Sequence, residues 1–333
     1  MKKFTRTYEA MVTIENLLSA WQVFLPGKKN KKDVALFEAK LMDHVLELYA
    51  GLCNKTYIHG SYQAFNISDP KPRNIHKATV RDRLLHHLIY QELYTYFDSH
   101  FIYDSYSCRL QKGTHRALRR FEQSAIIVSR NYTKTCYVLK CDIRKFFANI
   151  NHEILKSILA KYIQDKDIIW LLGQVIDSFN TEGKPGVGLP LGNLTSQLLV
   201  NVYMNEFDQF VKHQLKVKFY MRYADDFVLF SQDKNYLYQI LSTISTFLDS
   251  RLRLTLHPNK VSVQTVASGV DFLGWVHFPY HITLRTSTKH RMLKKLNYVS
   301  KQATLSSYLG MLKHGNTYAL QEKVKAVVAV TPN

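Results

Sequence analysis

The order of apolar and polar residues predicts a hairpin with an acidic tip. Tyr220 to Tyr223 and Phe227 to Phe230 form two apolar, β-favouring arms, and the residues between them are typical of a turn. The turn carries Asp225 and Asp226, and the one counter-charge within the segment is Arg222. Adjacent carboxylates repel unless a cation lies between them, so the pair suits a hard divalent cation and phosphoryl transfer. A solvated turn is the alternative, which the aromatic-rich arms disfavour.

A second strand pattern also ends on a carboxylate. In Tyr137–Asp142, residues alternate between two faces, so Asp142 closes a mostly apolar strand, and Asn151 is a plausible cap for the helix that follows. A carboxylate beside a hydrophobic core is costly unless a metal ion or a hydrogen-bond donor satisfies it. Asp142 is therefore a candidate for contact with a metal ion or a hydrogen-bond donor.

Helical periodicity recurs along the rest of the chain. One predicted helix after Thr114 has Ala117, Leu118, Phe121 and Ala125 on its apolar side and Arg116, Arg119 and Arg120 on the other, a face suited to a nucleic-acid backbone. The remaining helical segments are predicted at 8–24, 34–52, from Thr79, in a helix opened by the segment Gly186–Gln197, at 236–254, and as three short helices within 286–327. A strand is predicted over Tyr57 to Ile67.

Composition adds a partner class to this picture. The chain has 333 residues, 46% of them hydrophobic, which is enough for a large core. Its formal net charge of +19 indicates a polyanionic partner, and nucleic acid fits better than a membrane because no apolar run reaches transmembrane length. From Phe272 onward the sequence has nine Lys or Arg and a single acid, Glu322, which favours a lobe that binds phosphate groups. The four cysteines form no CxxC pair, so reduced thiols in a cytoplasmic, prokaryotic protein are expected.

Tyr223-Ala-Asp-Asp226 resembles the YxDD box of reverse transcriptases, and the other boxes of that family follow in order. They are Asp69–Arg83, Tyr106–Thr114, Tyr137–Glu153, Gly186–Gln197, Leu254–Val261 and Gly269–Val276. The resemblance extends from about Tyr57 to about Val327. Gly186–Gln197 does not match a dinucleotide-binding fingerprint, because three residues separate Gly188 from Gly192 and one of them is Pro190.

The resemblance implies an α+β fold, a right-hand polymerase with fingers, a palm sheet carrying the hairpin and a short helical thumb. The expected domains are an N-terminal helical extension (1–56), fingers with the start of the palm (57–135), palm with a fingers insertion (136–284) and thumb (285–333).

The resemblance also implies an RNA-directed DNA polymerase that uses two Mg²⁺ ions, template RNA, the RNA/cDNA duplex and dNTPs. Catalysis is expected at Asp142, Asp225 and Asp226, with the Ile143 carbonyl as a further metal ligand. Phe147 is the expected steric gate against a ribose hydroxyl, whereas Phe146 is expected in the core. The other expected nucleotide-binding residues are Arg73, Leu191, Gly192 and Lys260, the last near the departing pyrophosphate. The expected template and primer contacts are Arg116, Arg119, Arg120, Gln197, Tyr223 and Gly274.

The fourth of these boxes, Gly186–Gln197, resembles the same box in the reverse transcriptases of diversity-generating retroelements, which copy template RNA with errors at adenine. Most reverse transcriptases have Gln where this chain has Leu191, and Ser-Pro where it has Ser196-Gln197. Replacing an amide by an aliphatic side chain removes a hydrogen bond that holds the nucleotide, so discrimination should weaken. This subfamily implies a small basic, pentameric accessory protein. Alternatives are a retron, group II intron or defence-type enzyme, the intron type being disfavoured by the short C-terminus, and a catalytically idle RNA-binding scaffold.

Overall fold

The computed structural model describes residues 3–68, 71–296 and 302–330. Asp69 and Pro70 of the first box, and the thumb residues 297–301 and 331–333, lie outside them. The helices are α1 Tyr8–Met11, α2 Ile14–Phe24, α3 Lys32–Glu38, α4 Leu41–Cys53, α5 Val80–Asp98, α6 Thr114–Val128, α7 His152–Tyr162, α8 Lys166–Asp177, α9 Leu194–Gln209, α10 Lys234–Leu252, α11 Thr286–Leu296, α12 Gln302–Leu312 and α13 Tyr318–Val330. The strands are β1 Gln63–Ile67, β2 Arg73–Lys77, β3 Tyr137–Asp142, β4 Tyr220–Tyr223, β5 Asp226–Ser231, β6 Ser262–Thr265, β7 Val270–Phe272, β8 Trp275–Phe278 and β9 His281–Leu284.

The chain divides into two compact units, each built from separated segments. Unit 1 comprises Met1–Tyr103, Ile143–Lys216 and Ile244–Leu256, and unit 2 comprises Asp104–Asp142, Val217–Thr243 and His257–Asn333. The domain boundaries expected from the resemblance stay a prediction.

Unit 2 contains the sheet that carries the acidic residues. Its strands lie in the order β4-β5-β3-β6 with antiparallel pairing, and β7, β8 and β9 form a second antiparallel sheet. One apolar core joins α6, both sheets and the helices α11 to α13, with Phe121, Val138, Val228, Phe272 and Trp275 among its buried side chains. The strands are therefore held by apolar packing, and their polar ends mark the edge of that core.

Unit 1 is mainly helical. Helix α5 packs against α2 and α9, and α7 packs against α8 and α9. Thr79 caps α5 by accepting a hydrogen bond from the Asp82 amide, and Asn151 caps α7 by accepting one from the Ile154 amide, as the sequence predicted for both helix starts. Strands β1 and β2 form an antiparallel hairpin in this unit.

Two segments differ from their sequence patterns. Each of the two predicted N-terminal helices is divided, the first because Thr13 accepts a hydrogen bond from the Asn16 amide and starts a new helix. The strand predicted over Tyr57 to Ile67 begins only at Gln63, because the Tyr57 hydroxyl and the Gly60 amide bind the Asp82 carboxylate instead.

Among the described residues, no helix is both long and apolar enough to cross a membrane.

Candidate active site

The acidic hairpin forms as the sequence pattern predicted. Strands β4 and β5 pair from Tyr220 opposite Leu229 to Tyr223 opposite Asp226, which leaves Ala224 and Asp225 as a two-residue turn. Ala224 has φ +56°, in the left-handed region that L side chains rarely adopt. Such strained positions persist only when their surroundings hold them, and they cluster at functional sites.

Arg222 is one of the residues that hold the turn at Ala224 in this conformation. Its side chain is fully buried, at 0% exposure. One guanidinium nitrogen donates to the Ala224 carbonyl at 3.0 Å and another to the Ser105 hydroxyl at 3.3 Å. Its main chain accepts from the Tyr106 amide and donates to the Asp104 carbonyl, both at 2.9 Å. Sequence reasoning noted Arg222 as a counter-charge but not that it fastens the turn.

The third candidate carboxylate lies directly opposite the hairpin. In the antiparallel ladder between β3 and β5, Asp142 is the partner of Asp226. Directly opposed residues in such a ladder have Cβ atoms about 4.5–5.5 Å apart, and like charges there are destabilising. Asp225 precedes Asp226 in the chain, so three carboxylates separated by up to 84 positions meet at one end of the sheet.

This crowding changes the acidity of Asp226. Burial first, then the charge of Asp225 and to a lesser extent that of Asp142, raise the pKa of Asp226 to about 7, and the charges of Lys140 and Lys260 offset this rise only in part. In the described part of the chain no side chain or amide donates a hydrogen bond to its carboxylate. Asp226 therefore favours either a proton or a neighbouring cation.

Lys260 forms an ion pair with Asp142. Its ammonium lies 3.0 and 2.9 Å from the two carboxylate oxygens, and the Asp142 carbonyl accepts from the His257 amide at 2.7 Å. Sequence reasoning placed Lys260 near pyrophosphate and did not foresee this ion pair. Lys140 was also missed, although it lies two residues before Asp142 on the same strand and must therefore share its face.

The donor chemistry of this site suits a hard divalent cation. Asp142, Asp225 and Asp226 offer only oxygen ligands, which Mg²⁺ prefers. Burial and the charges of Asp225 and Asp142 raise the pKa of Asp226, and a bound cation would offset both effects. Within the described ranges, no group of three or more His, Cys, Asp or Glu side chains is arranged to hold a metal ion. In this structure the Lys260 ammonium provides the positive charge at Asp142.

The expected nucleotide-binding residues other than Lys260 belong to unit 1, which brings two of the boxes together. The His76 amide on β2, the strand that begins at Arg73, donates to the Leu191 carbonyl at 3.0 Å. Gly192 has φ +102°, and a Cβ there would lie 2.7 Å from the Ile75 side chain, so only glycine fits this close approach.

The expected steric gate lies in a short 3-10 helix of unit 1, Phe146–Asn149. Phe147 is half-buried and its carbonyl accepts from the Leu189 amide at 2.8 Å, whereas Phe146 is buried as expected for a core residue. Gln197 lies half-buried in the first turn of α9.

The expected template and primer contacts in unit 2 are less uniform. Arg116 and Arg119 are exposed on α6, but Arg120 is half-buried and donates to both oxygens of Asp104, at 2.9 and 3.2 Å. The predicted basic face of α6 is therefore narrower than the sequence pattern indicated. The Tyr223 hydroxyl accepts from the Thr114 hydroxyl at 3.3 Å, and Gly274, with φ +86°, forms the turn between β7 and β8.

Comparison with known proteins places these features in a family. The family model described as "Reverse transcriptase (RNA-dependent DNA polymerase)" matches residues 68–277, more than half of the chain. The "Putative COX1/OXI3 intron 2 protein" of Saccharomyces cerevisiae is 20% identical and covers 77% of this chain and 36% of its own length. "Protein YkfC" of Escherichia coli is 24% identical, with 62% and 63% covered. The "Group II intron-encoded protein LtrA" of Lactococcus lactis subsp. cremoris is 28% identical, with 65% and 36% covered.

This chain thus spans between 36% and 63% of the length of these relatives. Among solved structures, apo telomerase from Candida tropicalis without its C-terminal domain matches with a TM-score of 0.53 at 13% identity, over 69% of this chain and 55% of that chain. The same telomerase in complex with a fragment of telomeric RNA matches with a TM-score of 0.52 at 13% identity, over 86% and 56%. The predicted fold class, a mixed helix-and-sheet polymerase of this type, is confirmed.

Proposed function

The chain belongs to the reverse transcriptase (RNA-dependent DNA polymerase) family, and from this premise we propose that it copies a template RNA into DNA by two-metal nucleotidyl transfer. The observation that carries the proposal is the pairing register of strands β3 and β5, which places Asp142 opposite Asp226. Like charges set opposite each other at one sheet end are destabilising, so this arrangement is of little use to a structural scaffold.

We assign the metal ligands to the carboxylates of Asp142, Asp225 and Asp226 and to the Ile143 carbonyl. Two bound Mg²⁺ ions would activate the primer 3′-hydroxyl and neutralise charge on the triphosphate and the leaving pyrophosphate. Lys260, already held at this site by Asp142, is suited to balance the charge of the departing pyrophosphate. Arg73, Leu191 and Gly192 would contact the incoming nucleotide, and Phe147 would exclude a 2′-hydroxyl by bulk.

The test is primer extension on a primed RNA with the variant Asp225→Asn. Loss of a partner of a metal ligand already costs about 10- to 100-fold, so loss of a ligand should lower extension by more than about 100-fold. RNA binding should stay unchanged. Asp249→Asn, the same change at an exposed carboxylate, is the matched control. Near-normal extension by Asp225→Asn with Mg²⁺ would remove this residue from the mechanism and leave the idle-scaffold alternative open.

We further propose that the enzyme is of the diversity-generating type, with reduced fidelity opposite template adenine. Leu191 supports this proposal, since an aliphatic side chain at this position cannot hydrogen-bond to a nucleotide. The variant Leu191→Gln should lower misincorporation opposite adenine, measured by sequencing the products of primer extension. An unchanged error spectrum would contradict the assignment. The similarity to group II intron-encoded proteins favours the intron type as the second candidate, for which the parent enzyme should show no excess of errors at adenine.

The diversity-generating type also carries a partner, a small basic pentameric protein that shares the template RNA. With a formal net charge of +19 on this chain, we expect a local contact or one bridged by RNA, because two cationic surfaces repel. Co-purification with and without ribonuclease distinguishes these two forms of contact. Failure to co-purify in the presence of the template RNA would contradict the partnership.

A further inference from the structure

A cationic pocket in unit 1 has no part in the chemistry assigned above. It has a volume of about 360 Å³ and is lined by Arg144, Lys145, Asn149, Lys184, Arg253 and Thr255. Four of these six residues are cations and none is an acid. They come from three separate parts of the chain, so only the folded unit brings them together.

Main-chain contacts fix the walls of this pocket. The Arg144 amide donates to the Thr255 carbonyl at 2.9 Å, next to a β-bridge between Ile143 and Leu256. The Asn149 side-chain amide donates to the Arg144 carbonyl at 2.9 Å and its oxygen accepts from the Lys184 ammonium at 3.0 Å. The Arg144 main chain and the Lys184 ammonium are thus held by Thr255 and Asn149 rather than by contact between the cations.

The turn that presents Lys184 is also tightly built. The Lys184 amide donates to the Thr181 carbonyl at 2.8 Å, and the Thr181 hydroxyl donates to the Ala148 carbonyl at 3.0 Å. A Cβ at Gly188 would approach the Thr181 hydroxyl to within 2.2 Å, so the backbone at Gly188 packs against Thr181 at a distance that only glycine allows.

The charges in the pocket are not neutralised by the protein. In the part of the chain that the structure describes, Arg144, Lys145, Lys184 and Arg253 form no ion pair with a carboxylate, although the exposed Glu182 lies two residues from Lys184. All four side chains are exposed and are held together against their mutual repulsion. Lys145 in addition has φ +46°, a left-handed conformation that costs a non-glycine residue free energy.

We propose that this pocket binds linked phosphate groups. Two guanidinium groups offer the forked donors that match phosphate oxygens, two ammonium groups add point charges, and the volume admits more than one phosphate. Linked phosphates occur in an RNA backbone and in a free diphosphate. The RNA source rests on the function proposed above, whereas the diphosphate source does not.

The test uses the full chain without nucleotides or divalent metal. The double variant Lys184→Gln/Arg253→Gln is compared with Lys166→Gln/Arg251→Gln, which removes two exposed cations of the same types, one of them two residues from Arg253. Binding of a fluorescein-labelled single-stranded RNA is followed by anisotropy over a series of salt concentrations, and binding of inorganic pyrophosphate by calorimetry. Each phosphate contact contributes about 0.7 to the salt slope of single-strand binding, so the pocket variant should flatten it by about 1.4 and the control should not.

A selective loss of RNA binding identifies the backbone source, a selective loss of pyrophosphate binding identifies the diphosphate source, and loss of both supports a pocket that takes either. Equal behaviour of the pocket and control variants with both probes overturns the proposal. The two single variants keep the comparison decisive if the double variant does not fold. Because the assay contains no nucleotide, it can succeed while primer extension fails, and the reverse.

Discussion

Asp82 of unit 1 and Asp226 of unit 2 are two carboxylates drawn into the protein with opposite surroundings. Asp82 is fully buried and accepts hydrogen bonds from the Tyr57 hydroxyl at 2.9 Å, the Gly60 amide at 3.1 Å and the Thr79 hydroxyl at 2.6 Å. Arg81 adds a charged donor at 3.2 Å. Asp226 instead lies near the carboxylates of Asp225 and Asp142, whose charge Lys140 and Lys260 offset only in part.

The pKa values of the two groups diverge accordingly. Burial by itself would raise the pKa of Asp82, but the hydrogen bond from Thr79 and the charges of His59 and Arg81 outweigh it and hold that pKa below its usual value. For Asp226, burial and the charges of Asp225 and Asp142 act in the same direction and raise the pKa to about 7. A satisfied carboxylate stabilises the fold, whereas one surrounded by like charge is available to an external cation.

The largest expected effect on stability is at Asp82. Asp82→Ala leaves its three uncharged donors unpaired at about 1–3 kcal/mol each, so the free energy of unfolding should fall by about 3 kcal/mol or more. Chemical denaturation measures this loss, and Asp249→Ala at an exposed carboxylate is the control. If Asp82→Ala cost no more than the control, Asp82 would not be the structural member of this comparison.

The sequence predicted the elements around Asp226 better than it predicted the surroundings of Asp82. Alternation of apolar residues predicted the hairpin and the strand ending at Asp142, because both patterns are local. The pairing of Asp142 with Asp226, and the Lys260 ion pair, depend on strand register across more than 80 residues and are not local properties. The Asp82 network was missed for the same reason, although Thr79-x-x-Asp82 has the spacing of a capping box.

An intermediate loss of stability is expected on substitution of Arg222, whose buried side chain binds the turn of the hairpin. Arg222→Met keeps an apolar stem but removes the donor to the Ala224 carbonyl, a charged hydrogen bond worth about 1.5–3 kcal/mol. We expect a loss of stability of this order and a fall in the rate of primer extension with little change in RNA affinity. Arg109→Met removes a comparable donor to the Ser105 carbonyl and is the control. Normal extension by Arg222→Met would show that the turn does not need this residue.

The smallest expected effect has the opposite sign and concerns Asp226. Between the usual pKa of an aspartate, about 3.9, and the folded value near 7, the native state keeps a proton that the unfolded state has lost, so stability should fall as pH rises through this window. Asp226→Asn should remove that fall. In a chelator at pH 8 the variant should melt above the parent by a few °C, on the order of 1 kcal/mol after screening at a half-buried group.

The Asp226→Asn difference should vanish below about pH 3, where both states of the parent are protonated, and Asp249→Asn is the control. Added Mg²⁺ should stabilise the parent more than Asp226→Asn, since a cation relieves the repulsion that the substitution has already removed. A variant that melts below the parent at pH 8 in chelator would mean that Asp226 is satisfied within the protein as Asp82 is, and the distinction between the two carboxylates would fail.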